Sequence, residues 1–322
     1  MAAAVDQHPG DQHEIPEYET HESSTSLKER IKKHYEIASD YYYSLWGQHI
    51  HHGYFKSPDE SKEEAQVNLV KYLLEISDLP RGARVLDVGC GLGGTSRHLA
   101  REHGCSVTGI TISGRQVEIA KRLTRDETTP TGTADSDDVF TYPSSGGSCR
   151  FVELDAEKML EYFTSSSQGQ KFDAVWISEA LSHFPDKPLF FRSAAALLVA
   201  GGSGRLVIAD WFQAPDLTPE QERDDIQPIE DGMLLPQLCT AAQYVGMAET
   251  AGLKVKEGPV DISKDVAKTW DISWGLVASP SLWLFAISQG RDGLAFLQAF
   301  RAMRRGYANG TFRYALMCFE KP

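Results

Sequence analysis

The segment RVLDVGCGLGGTSRHLAREHG, residues 84–104, constrains the fold more than any other part of this 322-residue chain. RVLDVG reads as a short apolar strand, CGLGG as a turn that needs the backbone freedom of glycine, and TSRHLAREHG as a helix stopped by Gly104. The same alternation then runs on. CSVTGITIS is a second strand with SGRQVEIAKRLTRD as its helix. CRFVELDA, KFDAVWISEAL and GRLVIADWF are further strands, with a helix through RSAAALLVAGG before the last of them. TAAQYVGMAETAGLKVKEGPVDI adds a helix and a strand, and FLQAFRAMRRGYANGTFRYALMCFEKP a closing helix and strand. Strands alternating with helices predict a mostly parallel sheet covered on both faces.

The chain divides into four parts around this pattern. Residues 1–25 are polar and rich in Glu, His, Ser and Thr, a composition that does not bury enough surface to order itself, and a disordered tail is expected. Residues 26–80 are expected to supply two lid helices, at 27–43 and 61–77. The core spans 81–212, interrupted at 127–148 by a stretch full of Thr, Ser, Gly, Asp and Pro that reads as a flexible surface insertion. Residues 213–322 hold an acidic, Pro-punctuated run, an aromatic-rich cap at 264–285 with Trp270, Trp274 and Trp283, and the closing elements.

Charge and composition exclude several functions. Lys and Arg number 32 against 45 Asp and Glu, a formal charge of −13, which repels phosphate backbones and argues against a nucleic-acid partner. No apolar run reaches the ~18 residues of a membrane helix, and the opening residues show no secretory or mitochondrial leader, so the cytoplasm is the expected location. Five scattered cysteines fit reduced thiols better than a disulfide frame or a zinc site.

Gly89, Gly91 and Gly94 have G-x-G-x-x-G spacing, a pattern shared by nicotinamide, flavin and adenosylmethionine sites. A dinucleotide site places a pyrophosphate at the following helix and an acidic residue about 20 positions on, at the ribose. Here the second strand ends ITIS, without a carboxylate. Asp87, beside the turn, suits a ligand bearing an ammonium group and would repel a pyrophosphate. Adenosylmethionine carries that ammonium.

RVLDVGCGLGGTSRHLA, GITISGRQ and FDAVWISEALSHFPDK resemble the corresponding stretches of the γ-tocopherol methyltransferase family, itself similar to cyclopropane synthases and sterol C-methyltransferases. The likeness extends to HYEIASDYYYSLWGQHIHHGYF upstream and to LLPQLCTAAQYVGMAETAGL, DISKDVAKTW and FRYALMCFEKP downstream. The polar tail and the 127–148 stretch depart from the family's pattern. The resemblance implies a doubly wound, Rossmann-like α/β fold: a seven-stranded sheet, mostly parallel with an antiparallel last strand, with N-terminal lid helices and an inserted substrate cap. It implies S-adenosyl-L-methionine as cofactor.

In proteins of that family the glycine loop lies against the methionine portion of the cofactor, which maps onto Asp87, Gly89, Cys90 and Gly91. Thr111 and Gln116 would take the ribose contacts and Asp155 and Ala156 the adenine, although Asp155 also reads as the N-cap of a helix through AEKML. Ser178, closing the fourth strand, is a further expected contact. Tyr35, Tyr41, Tyr42 and Tyr43 fall in the helix resembling the family's lid, where aromatic faces would meet the sulfonium, or they are plain core. Glu179 and His183, four positions apart, are the expected catalytic pair, since one helical turn would aim both at one cavity. Base or electrostatic roles are implied by the resemblance, and a purely structural role in the turn is the alternative. No metal is expected: His49, His51 and His52 alternate on an extended segment without a Cys or carboxylate at ligand spacing.

The expected function is methylation, at O, N, S or C, of a small lipophilic metabolite of secondary metabolism. Apolar lining would come from 226–238 and 264–285. Two other readings stay open: a pericyclase that holds adenosylmethionine on the same scaffold, and a non-catalytic binding protein of this fold.

Overall fold

The computed structural model describes residues 27–32, 35–36, 39, 43, 46–130, 139–165, 169–277, 283–284, 286–287 and 290–322. Its strands are β1 (Arg84–Val88), β2 (Ser106–Thr111), β3 (Thr129–Pro130), β4 (Phe140–Thr141), β5 (Ser148–Glu153), β6 (Ala174–Ser178), β7 (Gly204–Gln213), β8 (Lys254–Asp261) and β9 (Phe312–Lys321). They form one sheet in the order β3-β4-β5-β2-β1-β6-β7-β9-β8. β1 is parallel to β2 and β6, as are β2 to β5 and β6 to β7, while β9 runs antiparallel to β7 and β8. This is the expected doubly wound sheet with its antiparallel last strand, extended by two short strands.

Side-chain alternation sorts the apolar residues of the central strands between two cores. Val85, Ala174, Trp176, Val207 and Tyr314 face a core built with α1 (Lys62–Ser77), α2 (Gly94–His103) and the long C-terminal helix Arg291–Asn309. Leu86, Val175, Ile177, Leu206 and Met317 face the other core, built with Lys187–Leu197 and Ala241–Thr250. With helices on both faces of the central strands, both alternate sets of side chains are mostly apolar, while the edge strand β8 stays largely exposed. α1 starts where expected, with Ser61 and Glu64 forming a reciprocal capping box.

The 127–148 stretch differs from its sequence reading. Its ends join the sheet through β3 and β4, and Phe140 and Tyr142 are buried, with Tyr142 donating to Glu127 Oε2 at 3.2 Å. Phe140 and Tyr142 share one face at a spacing of two, a strand signal hidden among polar neighbours. Residues 131–138, the 1–25 tail, Tyr41 and Tyr42 lie outside the described residues.

The helical residues among 27–46 cross the carboxyl ends of the strands. Leu27 and Ile31 pack on Leu234. Lys28 pairs with Glu157 and with Asp155 (3.3 Å), Lys32 with Glu153 (2.7 Å), and Ser113 Oγ donates to Glu36 at 2.9 Å. Among the described residues no helix is long and apolar enough to cross a membrane. Phe140→Ala is expected to lower the unfolding free energy by about 3 kcal/mol in urea titration, against under about 0.5 kcal/mol for a residue of a solvated loop.

Candidate active site

The residues expected to serve cofactor binding and catalysis, from Tyr35 and Asp87 to Glu179 and His183, line one cavity at the carboxyl ends of β1, β2, β5 and β6, whereas Tyr43, packed on Leu92 and Ile119, does not line it. The glycine turn forms its floor. Gly89 and Cys90 N–H both donate to Ile110 O (2.9 and 3.0 Å), which ties the turn to the end of β2. Gly89 has φ +71°, and a Cβ there would lie 2.4 Å from that of Ala180. A Cβ on Gly94 would lie 2.3 Å from Gln48 O, so this glycine lets the 48–51 segment close down on the first turn of α2.

Asp87 is 3% exposed, and Ser96 Oγ donates to its Oδ2 at 2.5 Å. Burial pushes the carboxyl up to about 6, against the pull of the Ser96 hydrogen bond. Among the described residues no Lys, Arg or His forms an ion pair with it. A buried carboxylate lining a cavity with one neutral partner fits an ammonium-bearing ligand. Next along the wall, Thr111 Oγ1 donates to Gln116 Oε1 at 2.6 Å. Asp155 serves as the N-cap, its Oδ1 accepting from Glu157 N–H at 3.0 Å, while lining the cavity beside Ala156.

Glu179 departs from the helical turn expected of it. It follows β6 with φ +54°, in left-handed backbone pinned by its N–H donating to Ala209 O (2.8 Å). Its carboxylate side chain is 6% exposed. Oε1 accepts from His52 N–H (2.6 Å) and Tyr314 O–H (2.7 Å), and Oε2 from His52 Nδ1 (2.9 Å). Burial acts to raise its pKa, and these three hydrogen bonds oppose burial by stabilising the ionised form. Trp270 Nε1–H points at His52 Nε2 at 2.5 Å, and an indole only donates, so Nε2 is an acceptor and the proton sits on Nδ1. His52 is therefore neutral and Glu179 ionised.

His183 closes a 3₁₀ turn, Leu181–His183, that Asp210 fixes by accepting from Ser182 N–H at 2.7 Å. Tyr35 OH lies 3.4 Å from His183 Nε2. His51 Nδ1 donates to His52 O (2.8 Å) and its Nε2 meets His49 Nδ1 (3.1 Å), while burial depresses both rings' pKa, so this pair is a neutral hydrogen-bonded relay. Glu179, His183, Tyr35 and His51 also line a second, apolar chamber walled by Trp46, Trp211, Trp270, Met233, Leu234 and Phe300. Of these, the sequence reading anticipated only Met233, Leu234 and Trp270. It weighed His52 only as a metal ligand and missed Tyr314.

Residues 22–140 match the mycolic acid cyclopropane synthetase family model and residues 86–206 a methyltransferase domain. The chain is 28% identical to a probable chloroplastic tocopherol O-methyltransferase of Oryza sativa, over 92% of this chain and 79% of that one. It is 30% identical to the 2-methyl-6-phytyl-1,4-hydroquinone methyltransferase of Synechocystis, over 84% of this chain and 80% of that one. The chain belongs to the S-adenosylmethionine-dependent methyltransferases. The methyltransferase also shares its fold with the crystal structure of the 4+2 cyclase SpnF, with a TM-score of 0.70 and 22% identity over 96% of this chain and 98% of that one. Its cofactor is S-adenosyl-L-methionine, which Asp87 and the glycine turn fit.

Because an ionised Asp87 is the form that meets an ammonium, calorimetric affinity for S-adenosylmethionine is expected to rise as pH climbs through about 6. The gain from about pH 5 to about pH 7 should be roughly tenfold. Asp87→Asn should weaken binding and flatten that profile.

Proposed function

We propose that this methyltransferase methylates a small lipophilic acceptor, with the cofactor in the polar cavity and the acceptor in the tryptophan-lined chamber. The observation that carries the reading is the position of Glu179 and His183, which line both spaces and so mark the junction between them. When bound, the cofactor supplies an electrophilic methyl group on a positively charged sulfur. Asp87 would hold its ammonium, Thr111 and Gln116 its ribose, and Asp155 with Ala156 its adenine. Cys90, Gly91 and Ser178 would pack against it.

The chain's own residues divide the remaining work. Transfer needs the nucleophile aligned and water excluded, which suits a chamber of indole and phenyl rings. Glu179 is a poor proton acceptor, because three donors occupy its oxygens and hold it ionised. It acts as a fixed anion beside the reacting centre. His183 is the group placed to take a proton from a hydroxyl or amine acceptor, with Tyr35 OH at its Nε2. All five cysteines are free thiols, which supports a reducing compartment such as the cytoplasm. The acidic chain supports a small-molecule partner over nucleic acid.

Incubation of the protein with methyl-labelled S-adenosylmethionine and a host metabolite extract should give a labelled apolar product and S-adenosylhomocysteine. Consumption of a substrate without S-adenosylhomocysteine release would replace this reading with a cyclisation. His183→Ala is expected to lower kcat by roughly 10²- to 10⁴-fold while leaving cofactor affinity unchanged by calorimetry. Unchanged kcat would remove His183 from the chemistry.

A further inference from the structure

The acceptor chamber has a simple charge balance. Among the described residues lining it there is no lysine or arginine. His52 is neutral, since its Nε2 accepts from Trp270 and its Nδ1–H donates to Glu179. His51 is neutral too, with Nδ1 donating to a carbonyl and Nε2 bonded to His49. His183 must enter neutral if it is to accept a proton. Glu179 is thus the one formal charge these residues bring, and its side chain is 6% exposed among aromatic rings.

A buried carboxylate surrounded by neutral donors and rings calls for a positive partner, and the sulfonium of the bound cofactor is one. A neutral nucleophile keeps that balance throughout. The acceptor–methyl bond forms as the sulfur–methyl bond breaks, the bonding pair stays on sulfur, and the positive charge ends on the acceptor or as a proton on His183. An acceptor carrying a carboxylate or phosphate would instead set a second anion near Glu179 with no cation to meet it. An ammonium is no nucleophile until it has lost its proton.

We infer that the acceptor enters this chamber uncharged, as an aromatic or similarly flat apolar molecule, and that Glu179 excludes carboxylated and phosphorylated analogues. This rests on the acceptor-chamber reading above and narrows it to a substrate class. Glu179 is then both the anion that faces the reacting centre and a selectivity filter.

The test compares 2-naphthol with 2-naphthoate, equal ring systems of which one is neutral and the other anionic at about pH 7. Both are titrated into protein saturated with S-adenosylhomocysteine, and binding is read from quenching of the chamber tryptophans. The naphthol should bind at least about tenfold more tightly than the naphthoate, and Glu179→Gln should shrink that ratio to under about threefold. Sinefungin, which carries an ammonium group in place of the methylated sulfur, should shrink it in the wild-type protein as well, which keeps the test sound if the variant does not fold. Naphthoate binding as tightly as naphthol, a ratio unmoved by sinefungin or by the variant, or no binding of either probe would overturn the inference. Calorimetry with S-adenosylhomocysteine alone separates the two readings: no binding there defeats the enzyme assignment itself, whereas normal binding with tight naphthoate defeats only the selectivity.

Discussion

Three donors converging on the Glu179 carboxylate hold the active end of this molecule together. They come from parts of the chain far apart in sequence: the amide and ring of His52 before α1, and the hydroxyl of Tyr314 in β9. Left-handed backbone at a non-glycine residue costs about 1 kcal/mol or more and persists only where the surroundings over-determine it. Here they do, because Glu179 N–H is also bound to Ala209 O. Trp270 extends the network from the cap by fixing the His52 tautomer. The cap, the N-terminal segment and the sheet therefore meet at one anion.

The sheet decides where that anion can act. From β1 the order proceeds one way through β2 and β5 and the other way through β6 and β7. At such a reversal the connecting helices leave on opposite faces and open a crevice at the carboxyl ends of the strands. The glycine turn after β1 and the Glu179 turn after β6 border this crevice from neighbouring strands. Asp87 at one side and Glu179 at the other give the cavity two carboxylates of opposite temper, one lifted by burial and the other held ionised by hydrogen bonds.

What the sequence disclosed follows from this geometry. Asp87, Thr111, Asp155 and Ser178 lie at or just beyond strand ends, and strand ends can be placed from apolar periodicity alone. Once the sheet is parallel, they must converge. His52, Tyr314 and Trp211 could not be found that way, because their meeting depends on ladder register and on how the cap docks. Tyr314 lies opposite Trp211 only because β9 pairs with β7 in one register. Glu179 and His183 do line the same cavity, but backbone handedness, not the expected helical spacing, aims Glu179. Phe140 and Tyr142 are hidden in a polar stretch whose irregular pattern masks their strand spacing.

The position of β9 has a consequence for how the protein is made. It lies between β7 and β8, both of which precede it in the chain, so a nascent polypeptide on the ribosome exposes two open strand edges until residues 312–321 emerge. Tyr314 arrives with that strand. Until then the Glu179 carboxylate lacks one of its donors, and the candidate site is complete only when the sheet closes.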